Sequence, residues 1–247
     1  MNNKELHYDF KIKIDKIDSF KKRNFETYEI DWIINEAQIL FMKQRFGQSN
    51  FKLKGFETTN KRKTDLGNIH IKSPVVQPGI LATQSGTDIY SVSLDKLKYK
   101  HFIITRVHVD GEQNGCEKNM KNIKYATHDD LNEYLIRSFN KPSFKWGRVI
   151  LTEGQSDTPG IKSLYIYTDD FKINNVYIDY VKMPRRVWFG NYDSLDGQHV
   201  IGDKEISLEL DESIHSEIID IAVSECSRII ENPDFINLKS AKLQTNE

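Results

Sequence analysis

Two apolar stripes at helical spacing, one near each end of the chain, most narrowly limit how it folds. Within residues 28–46, Ile30, Ile33, Ile34, Ala37, Leu40 and Phe41 recur at i, i+3, i+4 and i+7, which makes one continuous apolar face. Thr27 stands where an N-cap is needed, and Glu29 and Asp31 put negative charge at the positive end of the helix dipole. Lys43 and Arg45 suit the other end, and Gly47 is a stop. Far downstream, Ile214, Ile218, Ile221, Ala222, Cys226, Ile229 and Ile230 repeat the pattern, with Asp211 as cap, Glu212 in the first turn and Pro233 as terminator. Isoleucines at that spacing are core positions, so both helices need a partner surface.

Between the stripes the pattern changes. Asp88–Leu94, Phe102–Val109, Arg148–Thr152, Ser163–Thr168 and Val176–Met183 are short runs rich in β-branched and aromatic residues, as strands are. Asp110-Gly111, Asn114-Gly115, Pro159-Gly160 and Asn174-Asn175 are turn signals between or beside them. The asparagine pair predicts a hairpin joining Phe171–Ile173 to Val176–Met183. A helical turn or two is expected over His128–Phe139, opened by Thr127. Residues 51–66 predict a weaker, very polar helix that folds back on 28–46 as a hairpin. Asp9–Asp18 is ambiguous: Phe10, Ile12 and Ile14 alternate like a strand, while Phe10, Ile14 and Ile17 fit a helix. The expected class is therefore α+β, with terminal helices packed as a bundle and an inserted antiparallel β domain. Its expected parts are 1–66, 67–190 and 191–247, the last ending in a polar tail over 234–247.

The 247 residues carry 35 Lys+Arg and 36 Asp+Glu, and no apolar run approaches the roughly 18 residues of a membrane crossing. The first 18 residues are charged throughout and lack the apolar stretch of a signal peptide. Cys116 and Cys226 are far apart and fit no metal spacing, which favours a reducing cytoplasm. The near-neutral total conceals a segregation: residues 1–66 carry +4, 67–190 carry +4, and 191–247 carry −9. Such a molecule suits either a solvated acidic end or basic and acidic faces that meet head to tail. The basic excess is too small for a dedicated nucleic-acid binder.

No catalytic motif is present: the chain has no phosphate loop, no Gly-x-Ser-x-Gly and no His-Glu-x-x-His. His101, His108, Cys116 and His128 match no zinc spacing. Asp110 and Glu112 could pair as carboxylates for a nuclease metal, but Asp110-Gly111-Glu112 also reads as a hairpin turn. Lys182, Arg185 and Arg186 form a basic cluster beside Trp188 and Phe189, a combination that either holds phosphate or simply ends a strand.

Read in order, several segments resemble structural proteins of crAss-like bacteriophages. They are Phe10-Lys-Ile-Lys-Ile-Asp-Lys-Ile-Asp-Ser19, Arg23-Asn-Phe25, Glu29-Ile-Asp-Trp-Ile-Ile-Asn-Glu-Ala-Gln38, Phe41-Met-Lys-Gln-Arg45, Lys54-Gly-Phe-Glu57 and Asp65-Leu66. Near the other end, Ile178-Asp-Tyr-Val-Lys-Met-Pro-Arg-Arg186 and Leu210-Asp-Glu-Ser-Ile-His-Ser-Glu-Ile-Ile-Asp-Ile-Ala-Val223 continue it. Where family members often have Leu-Pro-Glu, this chain has Leu210-Asp-Glu, which alters the helix cap. The likeness covers about 8–66 and 174–243 and leaves the central region unmatched.

The resemblance implies a virion protein of the neck or tail, similar in layout to podovirus head–tail connector and tail-tubular proteins. It implies a ring, usually of twelve copies, that extends the portal channel, joins head to tail, retains the genome and lets it pass at ejection. Its implied partners are its own copies, the portal protein, neighbouring ring or tail proteins, and double-stranded DNA passing non-specifically. Assembly in the bacterial host cytoplasm, no membrane, no cofactor, no metal and no catalytic residue follow from the same likeness. Lys182, Arg185 and Arg186 are then expected at an inter-subunit contact or facing the channel. The competing readings are a DNA-processing protein such as a nuclease, built on Asp110 and Glu112, and a scaffolding or interaction module outside the mature particle.

Overall fold

A computed structural model describes residues 1–15, 25–46, 65–72, 75–84, 87–155, 160–190, 192–193, 199–200 and 205–229. The expected helix over 51–66 lies outside these apart from Asp65 and Leu66, as does the tail over 234–247. The protein is α+β, and its chain divides into two units, Met1–Ile69 with Pro184–Glu247, and His70–Met183.

The first unit contains α1 (Asn3–Asp15), α2 (Thr27–Phe46), a 3-10 turn (Glu212–Ile214) and α4 (His215–Ile229). The ambiguous N-terminal segment is helical as far as Asp15, and Leu6, Phe10 and Ile14, four residues apart, are all buried; residues 16–18, with Ile17, lie outside the described residues. Ile12, which a strand period would pair with them, is 40% exposed. In α2 the cap falls one residue before Thr27. The Glu26 carbonyl accepts from Ile30 N–H at 3.2 Å, and Glu26 N–H donates to Glu29 Oε2 at 2.9 Å, half of a capping box. Asp211 caps as expected: its Oδ1 accepts from Ser213 N–H at 3.0 Å and from Ser213 Oγ at 2.6 Å. Those bonds, the hydroxyl's first, hold the Asp211 carboxyl below its ordinary range. Ile214, Ile218, Ile221, Ala222 and Cys226 are buried, together with Ile219 and Val223.

Pro184–Gly190 belongs to this first unit, so the junction lies ahead of the 190 boundary read from composition. The cause is a set of side chains on α1 and α2 that bind the main chain of 187–189, described below.

The second unit is two sheets. One has the order β1 (His70–Ile71), β10 (Lys172–Lys182), β5 (His101–Gln113), β6 (Cys116–Met120), with β2 (Val75–Val76) also on β10. The other runs β3 (Gly79–Gln84), β4 (Thr87–Ser93), β9 (Lys162–Asp169), β8 (Arg148–Gln155), β7 (Asn122–Tyr125). Val107, Val109, Ile178 and Tyr180 from the first and Val92, Leu151, Leu164 and Ile166 from the second share one buried cluster, so the sheets pack face to face. The pairings are antiparallel except β7 with β8, which is parallel.

Two turn signals are overruled here. Asn174-Asn175 does not turn, because β10 runs through it opposite β5, with a register shift between Ile173 and Asn175. The extra residue is absorbed as a bulge, and Asn174 Nδ2 donates to Glu112 Oε2 at 3.1 Å. Asp110-Gly111 likewise lies inside β5. Gly111 serves close approach: a Cβ there would sit 2.7 Å from the Met120 methyl and 3.2 Å from the Phe171 ring. The hairpin forms instead at Asn114-Gly115, whose φ values of 51° and 77° suit a type I′ turn.

Candidate interaction surface

The short helix expected in the middle is α3 (Leu131–Ile136), and it sits in the connection from β7 to β8. A parallel pair needs a long crossover, and the helix of such a crossover normally lays an apolar face on the sheet. Leu131, Tyr134 and Leu135 make a half-buried face of α3, with Lys124 of β7 3.8 Å over the Tyr134 ring, but none of its residues is fully buried. Ile136 is 81% exposed, Phe139 90% and Trp146 67%. The root of the excursion is nevertheless fixed. Lys118 Nζ donates to the carbonyls of Phe144 at 3.2 Å and Lys145 at 2.7 Å, and the Phe144 ring packs on Phe171. Ser143 and Arg148 pair as a bridge across its base. The result is an arm held at its root with large apolar side chains in water.

In the first unit, α1 also shows water an apolar side. Tyr8 is 70% exposed and neighbours Ile12 one turn on. They line an open groove of about 550 Å³ with Met1, Glu5, Asp9 and Ser216. The opposite side of α1 is occupied by a polar anchor. Asn3 Nδ2 donates to the carbonyls of Trp188 and Ile206, both at 3.0 Å. His7 Nε2–H donates to Asp31 Oδ1 at 2.7 Å, and its ring lies 4.7 Å from that of Phe189. Asp31 Oδ2 accepts from Phe189 N–H at 2.9 Å, and Asn35 both donates to the Val187 carbonyl and accepts from Val187 N–H. Asn3 and His7, like Asp31 and Asn35, are four residues apart, so each helix offers two polar groups on one face. That i, i+4 polar spacing inside apolar faces was the available sequence signal.

The basic residues singled out from sequence fall in both units. Lys182 ends β10, its ammonium 5.0 Å from the Tyr99 ring. Arg185 Nε donates to Glu209 Oε1 at 2.6 Å while its side chain stays largely exposed, and Arg186 is exposed. Asp110 and Glu112 are engaged in the sheet. Asp110 accepts from Asn119 Nδ2 at 2.7 Å and from Tyr177 Oη at 2.8 Å, and Glu112 accepts from Asn174. His108 stacks on Tyr177 at 4.7 Å, His128 Nε2–H donates to the Glu153 carbonyl, Cys116 is exposed, and burial pulls His101 below its ordinary value. Among the described residues, no three His, Cys, Asp or Glu side chains converge on a point that could hold a metal. No helix among them is long and apolar enough to cross a membrane.

What each unit offers is exposed apolar surface, at Tyr8 and Ile12 in the first and at Ile136, Phe139 and Trp146 in the second. The model of one protein family, described as phage tail ring protein 3/4, matches residues 1–231. No curated protein matches the chain.

Proposed function

This chain belongs to the phage tail ring protein 3/4 family, and is thus a structural component of the tail region of a crAss-like phage virion; from that premise we propose that it forms a twelve-subunit ring that extends the portal channel and connects head to tail. The observation that carries the reading is the family match across 231 of 247 residues. In this reading the units correspond to a terminal helical bundle carrying an inserted β domain, the layout of podovirus head–tail connector and tail-tubular proteins. The ring assembles in the host cytoplasm, seats between the portal protein and the next ring or tail component, retains the packaged genome and lets it pass at ejection.

Charge supports the proposal. A ring closes through heterologous contacts, in which one face of a subunit meets a different face of the next. Segments of +4, +4 and −9 in one near-neutral chain suit such contacts. A conduit also needs only weak phosphate affinity, since tight binding would impede DNA movement, and near-neutrality suits that. Lys182, Arg185 and Arg186 are assigned to an inter-subunit contact or to the channel wall.

An electron-microscopy map of the particle tests this directly. Twelve-fold density on the tail axis that fits this chain is expected, with the three basic residues at a subunit boundary or the lumen. A chain found off the axis would refute the ring, and all three residues on the outer wall would refute their assignment. Stoichiometric presence in purified virions is required as well.

A further inference from the structure

The positive charge of the β unit is concentrated in one stretch, and large apolar side chains stand beside it. Residues 117–148 hold seven Lys and Arg against four Asp and Glu, while the rest of His70–Met183 holds eight against nine. From Tyr134 to Arg148 there are four cations and no acid. Of the seven, Arg137 pairs with Glu133 and Lys141 with Asp169, whereas Lys118, Lys121, Lys124, Lys145 and Arg148 make no ion pair among the described residues. The other acids of the stretch are Glu117, Asp129 and Asp130, and the Asp130 carboxylate already accepts from the Thr127 hydroxyl at 2.9 Å. Four of the five cations without an ion pair gather around Trp146. The Lys145 ammonium lies 5.6 Å from its ring, and Arg148 follows two residues on. Lys118 Nζ bonds the Lys145 carbonyl, and its Cε would sit 3.5 Å from a Cβ at Gly147. Asn122 N–H, next to Lys121, donates to the Gly147 carbonyl at 3.2 Å.

We infer that this arm is a peripheral membrane contact, in which Ile136, Phe139 and Trp146 enter the interface of an anionic bilayer and the cations around Trp146 lie against its headgroups. Aromatic and aliphatic side chains flanked by Lys and Arg are the composition that seats at a bilayer interface, apolar parts among the acyl chains and ammonium groups at the phosphates. The occupant must supply apolar depth and negative charge together. Duplex DNA supplies the charge, but its bases are stacked inside and give Ile136 and Phe139 nothing apolar to enter. A stable protein contact buries about 800 Å² per partner, whereas the three side chains offer roughly 400 Å². A bilayer sets no such minimum and asks for no matching shape, which suits a side chain as exposed as Phe139 at 90%. Such a contact needs no spanning helix, and none is found among the described residues; it adds a membrane surface where the family resemblance implied none. The pinned root, through the Lys118 bonds to the carbonyls of Phe144 and Lys145, lowers the ordering cost of insertion. The inference does not depend on the ring, although copies carried on one ring would multiply a weak single contact.

The test uses the full chain with vesicles of phosphatidylcholine alone or mixed with phosphatidylglycerol. Co-sedimentation is expected to show binding to the mixed vesicles, weak binding to the neutral ones, and loss of binding as salt screens the charges. In the double variant Phe139→Ser/Trp146→Ser, both replaced side chains project into water, so circular dichroism and melting should match the wild type. Its partition into mixed vesicles should fall about tenfold or more. Lys145→Gln should lower that partition about fivefold and leave binding to neutral vesicles unchanged. Trp146→Phe keeps an aromatic side chain and should bind nearly as the wild type. It should nevertheless lose most of the tryptophan quenching by lipids brominated on their acyl chains, because Trp146 is the indole that enters. A wild-type chain that stays in the supernatant with mixed vesicles, or a double variant that binds them undiminished, would overturn the inference. Quenching retained in Trp146→Phe would place the contact elsewhere and overturn it too. So would a double variant that keeps its lipid binding and loses affinity for duplex DNA or for another tail protein, which would assign the arm to that partner. Each of these results leaves the ring standing, since the ring is tested by symmetry on the tail axis.

Discussion

In the helical unit, buried side chains grip specific main-chain groups, whereas in the β unit the buried side chains mostly fill space. Asn3, Asp31 and Asn35 bind the backbone of 187–189 and of Ile206, His7 bonds to Asp31, and Arg45 is buried between Asp65 and Glu217. The β unit's central cluster is aliphatic and aromatic, and its buried polar residues among those described are the hydroxyls Thr152, Ser163 and Thr168. The contrast follows from what each unit must join. A sheet supplies its own backbone partners. Helices satisfy theirs internally, so beyond the bridge of Trp188 with Ile206 the extended 187–189 segment finds its partners in side chains.

The largest effect is expected at Arg45. Its Nη2 donates to Glu217 Oε1 at 2.8 Å, its Nε lies 3.4 Å from Asp65 Oδ2, and its guanidinium stacks 4.6 Å over Phe41, all with the side chain only 3% exposed. Arg45→Ala removes the buried cation that Asp65 and Glu217 share and is expected to cost about 3–5 kcal/mol. Chemical denaturation measures the loss, and hydrogen exchange should place it in α2 and α4. An effect below 1 kcal/mol would mean that the helical unit, too, is held by shape alone.

Asp31→Ala comes next. It strands His7 and the Phe189 N–H together, and hydrogen bonds to a charged group are worth about 1.5–3 kcal/mol each way. The Phe189 amide should lose protection first, since it is the main-chain group that Asp31 holds. In the β unit the matching probe is shape: Gly111→Ala puts a methyl against Met120 and Phe171 and is expected to cost about 1–3 kcal/mol by overpacking. Adding Met120→Ala should recover part of that loss if crowding is the cause. If it recovers nothing, the glycine's role is elsewhere.

These same residues show how far the sequence could be read. The apolar stripes of α2 and α4 were legible because helix period is a local property that packing only confirms. The strands were legible as existence and failed at their edges. Asn174-Asn175 and Asp110-Gly111 have turn composition, yet the pairing of β10 with β5 passes through both, and pairing is set by residues 60 and more positions away. Conversely Asp170, at φ 55°, makes the reversal into β10 without any of the glycine that marks such sites. The arm was visible as a short helix over 128–139, but a pattern of spacing cannot say that a helix leaves Ile136 and the segment after it exposed. The anchor residues were missed because an isolated Asn or His on an apolar face is read as tolerated polarity until its backbone partner is known.

The smallest effects separate the units by pH. His215 is buried in the helical unit; its Nε2 is 3.0 Å from the Leu210 carbonyl, which can only accept, so Nε2 carries the hydrogen, and Nδ1 is buried with no partner among the described residues. Burial, first among the causes, pushes its pKa below the ordinary value of 6.5. The folded chain therefore resists the proton that the unfolded chain accepts. Above 6.5 both forms are neutral and stability is full, and as pH falls from 6.5 through the folded value, the unfolded state gains protons first and stability drops. His101, half-buried at the start of β5, is lowered in the same direction by burial and then by Lys162. Denaturation midpoints from pH 7 down to pH 5 should fall in the wild type, and the slope should flatten in His215→Gln more than in His101→Gln, because His215 has a ring nitrogen sealed from water and His101 retains access to it. Equal flattening in both would show that the sealed nitrogen confers no extra cost, and that burial in the helical unit is less exclusive of solvent than its polar anchor implies.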